Sequence, residues 1–209
     1  DEVAFWVARG KVDELEGKPP GIFVCSVESD IMVAAAAREK LGLDTQIACV
    51  GDRWLLLPAR EGKNFLVGCE ESGHVTYGIE ITDINEKQSK VFTGNGLLSC
   101  LYALSTILRK DPPLAEIVHP FQGGVKDIRY VYFVDKNRFF PGSSVWQEDS
   151  ETALSLFSRK LPHGYRAEIR PFEQDPGMLY FSVLSADSQE EGALFIRNSG
   201  TETKTGVAI

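Results

Sequence analysis

The sequence predicts two successive fold classes, α/β and then α+β. A βαβ-type mixed-sheet domain comes first, followed by a smaller domain with a largely antiparallel sheet and helices. Three observations carry this expectation. Between residues 21 and 50 an apolar run, an alanine-rich stretch and a second apolar run follow one another, the strand–helix–strand order of a parallel sheet. A long helix-periodic segment is stopped by Pro112 and Pro113. Beyond Gly123 and Gly124, strand-like runs crowd together with a single helix among them, which favours antiparallel pairing. The expected boundaries are 1–20 for an N-terminal segment or linker, 21–120 for the α/β domain and 121–209 for the α+β domain.

Taken in order, "GIFVC" (21–25) is a short apolar run after "KPPG" and reads as a buried strand. In "SDIMVAAAAREKLG", Ser29 or Asp30 can cap a helix, four alanines propagate it and Gly42 can end it. "TQIACV" (45–50) and "NFLVG" (64–68) are the next strands. In "TGNGLLSCLYALSTILRKDPP", Leu97, Leu98, Leu101, Leu104, Ile107 and Leu108 recur at helical spacing and predict one buried face. In the second domain "IRYVYFV", "YRAEIRP", "MLYFSVL" and "ALFIR" read as strands, with the helix "SETALSLFSRKLP" between the first two.

Composition narrows the function classes. A net charge of −8 argues against a broad surface that tracks nucleic-acid phosphates, while leaving room for a local anion site. Cys25, Cys49, Cys69 and Cys100 form no C-x-x-C pair, so the expectation is free thiols in a reducing cytoplasm. No apolar run approaches the ~20 residues that cross a bilayer, so no membrane partner is expected. With three histidines and no H-E-x-x-H, no metal site is expected in this chain. The chain starts at Asp1 and stops at Ile209 inside a strand-like run, which suggests a fragment.

Three loops carry candidate chemistry. "FIRNSGTETK" (195–204) holds Arg197, Asn198, Ser199, Gly200 and Thr201. A guanidinium fork suits two phosphate oxygens, the hydroxyls of Ser199 and Thr201 add donors, and Gly200 admits close backbone approach. The same residue types also make an ordinary surface turn. "GCEESGH" (68–74) places Glu70, Ser72 and His74 together. A carboxylate can accept from two neighbouring hydroxyls, as on a sugar ring; a solvated acidic turn is the alternative. G-x-S-x-G is absent, so a nucleophile elbow is not supported. "VGDRW" (50–54) sets Asp52 and Arg53 beyond a strand end, where ligands of parallel sheets gather, or where a surface ion pair sits. The helix start at "TGNG" has amides that could meet an anion, and capping explains it equally well.

"CEESGH", "RNSGTETK" and "VGDRW", in their order along the chain, resemble the C-terminal half, the third and fourth domains, of an α-D-phosphohexomutase. The resemblance covers about Gly21 to Ile209. It implies that Glu70, Ser72 and His74 read sugar hydroxyls, with Asp52 and Arg53 in support. It also implies that Arg197, Ser199, Gly200 and Thr201 hold the substrate phosphate while Asn198 shapes the loop. Cys69 stands where the family often has glycine, and Thr203 where proline or asparagine is common. The family interconverts hexose 1-phosphate and 6-phosphate through a bisphosphate and an enzyme phosphoserine, using Mg2+ and a hexose bisphosphate activator. Its serine loop, of the T-A-S-H-N-P type, and its D-x-D-x-D-R metal loop do not occur here. The implied partners are therefore a hexose phosphate and missing N-terminal domains, and the chain alone is expected to be inactive. Two alternatives stand beside this: a non-catalytic sugar-phosphate-binding or regulatory protein, and an unrelated hydrolase using Ser72 and His74.

Overall fold

The computed structural model describes residues 1–15, 20–188, 190–199 and 203–208. The chain divides into two compact units, Asp1–Gly124 and Val125–Ile209.

The first unit is a five-stranded mixed sheet between two helical layers. Its strands are β1 (Ile22–Ser26), β2 (Asp44–Ala48), β3 (Phe65–Cys69), β4 (Val75–Thr82) and β5 (Gln88–Thr93), in the spatial order β2-β1-β3-β4-β5. β1 pairs in parallel with both β2 and β3, whereas β4 and β5 are added antiparallel. Every residue of β1 and β3 is buried, as a central strand covered on both faces requires. Alternation along β1 sends Phe23 and Cys25 into one core and Ile22 and Val24 into the other, and a register shift at the start of β3 lets Phe65 join the second core while Val67 and Cys69 join the first.

The larger helical layer contains α1 (Glu2–Asp13), α2 (Ile31–Leu41) and α5 (Gly96–Lys110). The opposite layer is thin, made of α3 (Asp52–Leu55) and α4 (Leu57–Arg60). A short α6 (Leu114–Val118) follows α5. α2 is capped by Asp30, whose Oδ1 accepts from the Met32 amide at 2.9 Å. It ends at Gly42, which takes the left-handed conformation (φ 67°) that glycine tolerates best. The other oxygen of Asp30 accepts from the Gly124 amide at 2.7 Å and ties down the end of the unit.

Two expectations are corrected here. Residues 1–20 do not form a simple linker: α1 is a helix with Ala4, Phe5, Trp6, Val7 and Ala8 buried. Five consecutive buried positions erase the one-sided periodicity by which an amphipathic helix is recognised. The second correction concerns α5. Leu97, Leu101, Leu104 and Leu108 are exposed, the first and last at 73% and 72%, while Ser99, Ala103 and Thr106 are buried. The cause is the close approach of α1. A Cβ added at Gly10 would lie 2.2 Å from Thr106 Oγ1 and 2.8 Å from the Tyr102 ring, so at this point of the seam no side chain fits on α1. Leu98 and Ile107 do pack against the core, so the buried face overlaps the apolar one and is rotated from it.

The β4–β5 hairpin is also absent from the sequence reading, since Gly78 interrupts its alternation. Its turn is built by Asp83, whose Oδ1 accepts from the amides of Asn85 and Lys87 at 2.8 and 2.9 Å.

The second unit is an antiparallel sheet of β6 (Ile128–Tyr132), β7 (Arg166–Arg170), β8 (Leu179–Leu184), β9 (Glu190–Asn198) and β10 (Lys204–Ala208), ordered β6-β10-β9-β8-β7. One face carries α7 (Ser144–Lys160) over Phe139, Leu179, Phe181 and Leu194. α7 begins before the stretch that its sequence suggests, because the Ser143 hydroxyl accepts from the Trp146 amide and starts the helix there.

Of the four cysteines, only Cys100 is exposed. Burial pushes the Cys25 thiol up from 9.0 to about 12 and raises Cys69 further. Folding thus disfavours both thiolates, so stability is intact below pH 9 and falls as the pH rises from there towards about 12. Iodoacetamide at pH 8 is expected to add a single label, at Cys100, to the native chain and four after urea unfolding. Mass spectrometry of intact protein reads the difference.

Candidate functional site

In the first unit, two loops beyond strand ends are laced together. After β2 the chain reaches Gly51, whose φ of 117° is a glycine conformation, and enters α3 at Asp52. After β3 it turns at 70–73, closed by the Gly73 amide donating to the Glu70 carbonyl at 3.1 Å. The Glu70 amide donates to the His74 carbonyl at 2.9 Å and completes the turn.

Two side-chain contacts join these loops. The Gly51 amide donates to Glu70 Oε1 at 2.5 Å, and His74 Nε2 lies 2.6 Å from Asp52 Oδ1. Ser72 Oγ donates to Glu70 Oε2 at 3.4 Å. Glu70 is half-buried and held at both oxygens, yet each oxygen keeps capacity for another donor. The structure therefore brings Asp52, Glu70, Ser72 and His74 into one cluster. Arg53 is exposed, with its guanidinium 4.5 Å from the centre of the Trp54 ring, and forms no ion pair with any described residue.

The cluster does not have the form of a hydrolytic dyad. Ser72 bonds to Glu70 and His74 Nε2 lies against Asp52, whereas a serine nucleophile needs its base within hydrogen-bond reach. The α5 start at "TGNG" is occupied by its own cap, Asn95 Oδ1 accepting from the Leu98 amide at 3.0 Å.

Motif reading missed two contributors. One is the Gly51 amide, a backbone donor that no side-chain pattern announces. The other is Gly94, just beyond β5. A Cβ built there would lie 2.1 Å from His74 Cε1, so the imidazole rests against this glycine.

In the second unit, Arg197 and Asn198 end β9 and Ser199 follows. The loop is closed by the Ser199 amide donating to the Lys204 carbonyl at 2.9 Å. Asn198 is consumed structurally: its Nδ2 donates to the carbonyls of Phe139 and Lys136, and its Oδ1 accepts from Thr205 Oγ1 at 2.8 Å. Arg197 makes no ion pair with any described residue. Gly200 and Thr201, the remaining two candidates of this loop, lie outside the described residues.

A cavity of about 540 Å³ opens on the α7 side of this sheet, lined mainly by apolar residues such as Val131, Phe139, Val145 and Ile196. Arg197 and Ser199 do not line it. Among the described residues no group of three His, Cys, Asp or Glu side chains could hold a metal ion. The donor set for the implied Mg2+ therefore does not occur among them. No described helix is long and apolar enough to cross a membrane.

Residues 1–122 match the family model described as phosphoglucomutase/phosphomannomutase, alpha/beta/alpha domain III. A phosphoglucosamine mutase of Methylobacterium sp. is 28% identical over 176 residues, 84% of this chain and 35% of the relative. One from Azorhizobium caulinodans is 30% identical over 136 residues, 65% of this chain and 26% of the relative. The chain thus spans about a third of the length of the first of these. Among solved structures, Aspergillus fumigatus N-acetylphosphoglucosamine mutase, in complex with GlcNAc-6P and magnesium, shares the fold with a TM-score of 0.64 at 14% identity. That likeness covers 99% of this chain and 39% of the other. A phosphoglucomutase/phosphomannomutase family protein of Burkholderia thailandensis gives 0.59 at 16%, covering 98% and 36%.

Gly94→Ala is expected to push the imidazole of His74 off its seat while leaving the fold intact. The His74 side-chain resonances should move in NMR spectra with far-UV circular dichroism unchanged; unmoved resonances would show that the ring does not depend on Gly94.

Proposed function

The chain belongs to the phosphoglucomutase/phosphomannomutase family, and from that premise we propose that it is the substrate-binding half of a phosphohexomutase. The whole enzyme would interconvert hexose 1-phosphate and 6-phosphate. The observation that supports this most is that the Gly51 amide donates to Glu70 while Asp52 lies against His74, an arrangement that would hold a hydroxyl-reading cluster in place. The name of the Methylobacterium relative makes a hexosamine phosphate the first substrate to test.

Each group in this reading has a definite task. Glu70 accepts from two neighbouring ring hydroxyls, and Ser72 and His74 take a third or part of the phosphate. Arg197 forks two phosphate oxygens, with the Ser199 hydroxyl beside it, and Gly200 and Thr201 continue the loop. A guanidinium reads the phosphate rather than the carbon that bears it, so one loop serves both ends of the sugar. Carboxylate–hydroxyl bonding likewise tolerates two ring orientations, as a substrate that turns over between two transfers demands. Phosphoryl transfer depends mostly on positioning and charge stabilisation, so such loops contribute without supplying the nucleophile. A phosphoserine and Mg2+ would come from domains outside these 209 residues.

Arg197→Ala should abolish binding of glucosamine 6-phosphate in calorimetric titration; undiminished affinity would count decisively against the assignment. The chain by itself is expected to show no interconversion of glucose, mannose or glucosamine phosphates. Turnover by the purified chain in a coupled assay would overturn that.

A further inference from the structure

Ser199, the residue after β9, is held from below as well as from the neighbouring strand. The short 3-10 turn Lys136–Arg138 lies on the α7 face of the second sheet, where Asn198 reaches its backbone. From that turn Lys136 Nζ donates to the Ser199 carbonyl at 2.7 Å. Lys136 is half-buried and makes no ion pair with any described residue. Its neighbour Asp135 is engaged in capping the turn, accepting from the Asn137 amide at 3.1 Å. An ammonium carries three donors, and one is spent on Ser199.

Arg197 approaches from the other side. Ile196 and Val207 pack into the α7 core, so alternation turns Arg197 to the opposite face. There it is registered against Gly206, next to the Tyr130 ring. Lys136 thus contacts Ser199, and Arg197 stands two residues before it on β9, neither with an ion-pair partner among the described residues.

We propose that Lys136 is a second cation of the phosphate-binding loop, acting with Arg197 on a phosphomonoester dianion. The proposal rests on the phosphate role assigned to Arg197 above. Its logic is electrostatic. A bare carbonyl beside an anion repels it, and the Lys136 ammonium covers the Ser199 carbonyl with a charge-assisted bond. The same ammonium adds a full positive charge a few ångströms from the Ser199 hydroxyl, and a doubly charged ligand gains more from that than a singly charged one. Lys136 does not belong to the R-x-S-G-T pattern, being brought to it only by the fold.

The test compares the unmodified chain with Lys136→Gln, Lys136→Arg and Arg197→Ala, titrating each with glucosamine 6-phosphate and with inorganic phosphate. Binding is followed by calorimetry and by 31P NMR at two ionic strengths. Glutamine keeps a donor for the Ser199 carbonyl and removes the charge, so a merely structural role would survive it. The expectation is that Lys136→Gln weakens binding about tenfold and makes it less sensitive to salt, while Lys136→Arg stays within about twofold. If Lys136→Gln binds as the unmodified chain does while Arg197→Ala fails to bind, the inference falls and the phosphate role of Arg197 stands. If Arg197→Ala also binds normally, or no form binds, both fall together.

Discussion

The first unit depends on Glu70 being held at both oxygens while it is still able to accept more. Its contact to the Gly51 amide crosses from one loop to another, and that crossing exists because β1 pairs in parallel with β2 and β3 at once. Parallel pairing carries both loops to the same end of the sheet. Three residues after β2 and one after β3, the chain delivers a backbone donor and a carboxylate to a common point. A half-buried carboxylate fixed in this way has already met part of the ordering cost that a flexible surface glutamate would face on binding. Disturbing the sheet register would therefore uncouple the loops without touching any residue in them.

Much of this architecture is legible in the sequence. Asp30 and Gly42 mark both ends of α2, and the apolar runs on either side of it read as a parallel pair of strands, which β1 and β2 are. What is not legible has identifiable physical causes. α1 hides because its buried positions are consecutive, and periodicity vanishes when a helix is covered nearly all round. The leucines of α5 mislead because periodicity reports apolar faces and not the distance between helices. That distance is set by Gly10, on another helix, which brings Thr106 and Tyr102 close to the α1 backbone.

The candidate site divides in the same way. Glu70, Ser72, His74 and Asp52 are visible as residue types, and the fold does gather them. Their partners are not visible, because two of them are glycines: Gly51 acts through an amide and Gly94 through the space it leaves. Asn198 is similar. Its side chain is spent on the carbonyls of Lys136 and Phe139, which suits the loop-shaping part that the resemblance implies, and those partners lie on a distant turn that no motif announces.

An acidic chain that binds an anion must place its few cations where carboxylates cannot reach them. With 30 acidic against 22 basic residues, an arginine or lysine on an open surface has many possible partners, and several here are taken: Arg9 by Glu116, Lys110 by Asp13, Arg166 by Glu168. Such pairs contribute little to stability when exposed, and they also spend the charge. Arg197 and Lys136 escape by position. One lies on a strand beside Gly206, which has no side chain to offer, and the other is turned towards a backbone carbonyl. Keeping a guanidinium and an ammonium unneutralised within an acidic protein has an electrostatic cost, and a bound dianion would offset it. On the proposed reading, the net charge would keep nonspecific polyanions away while these two cations would give a small phosphate one place to bind.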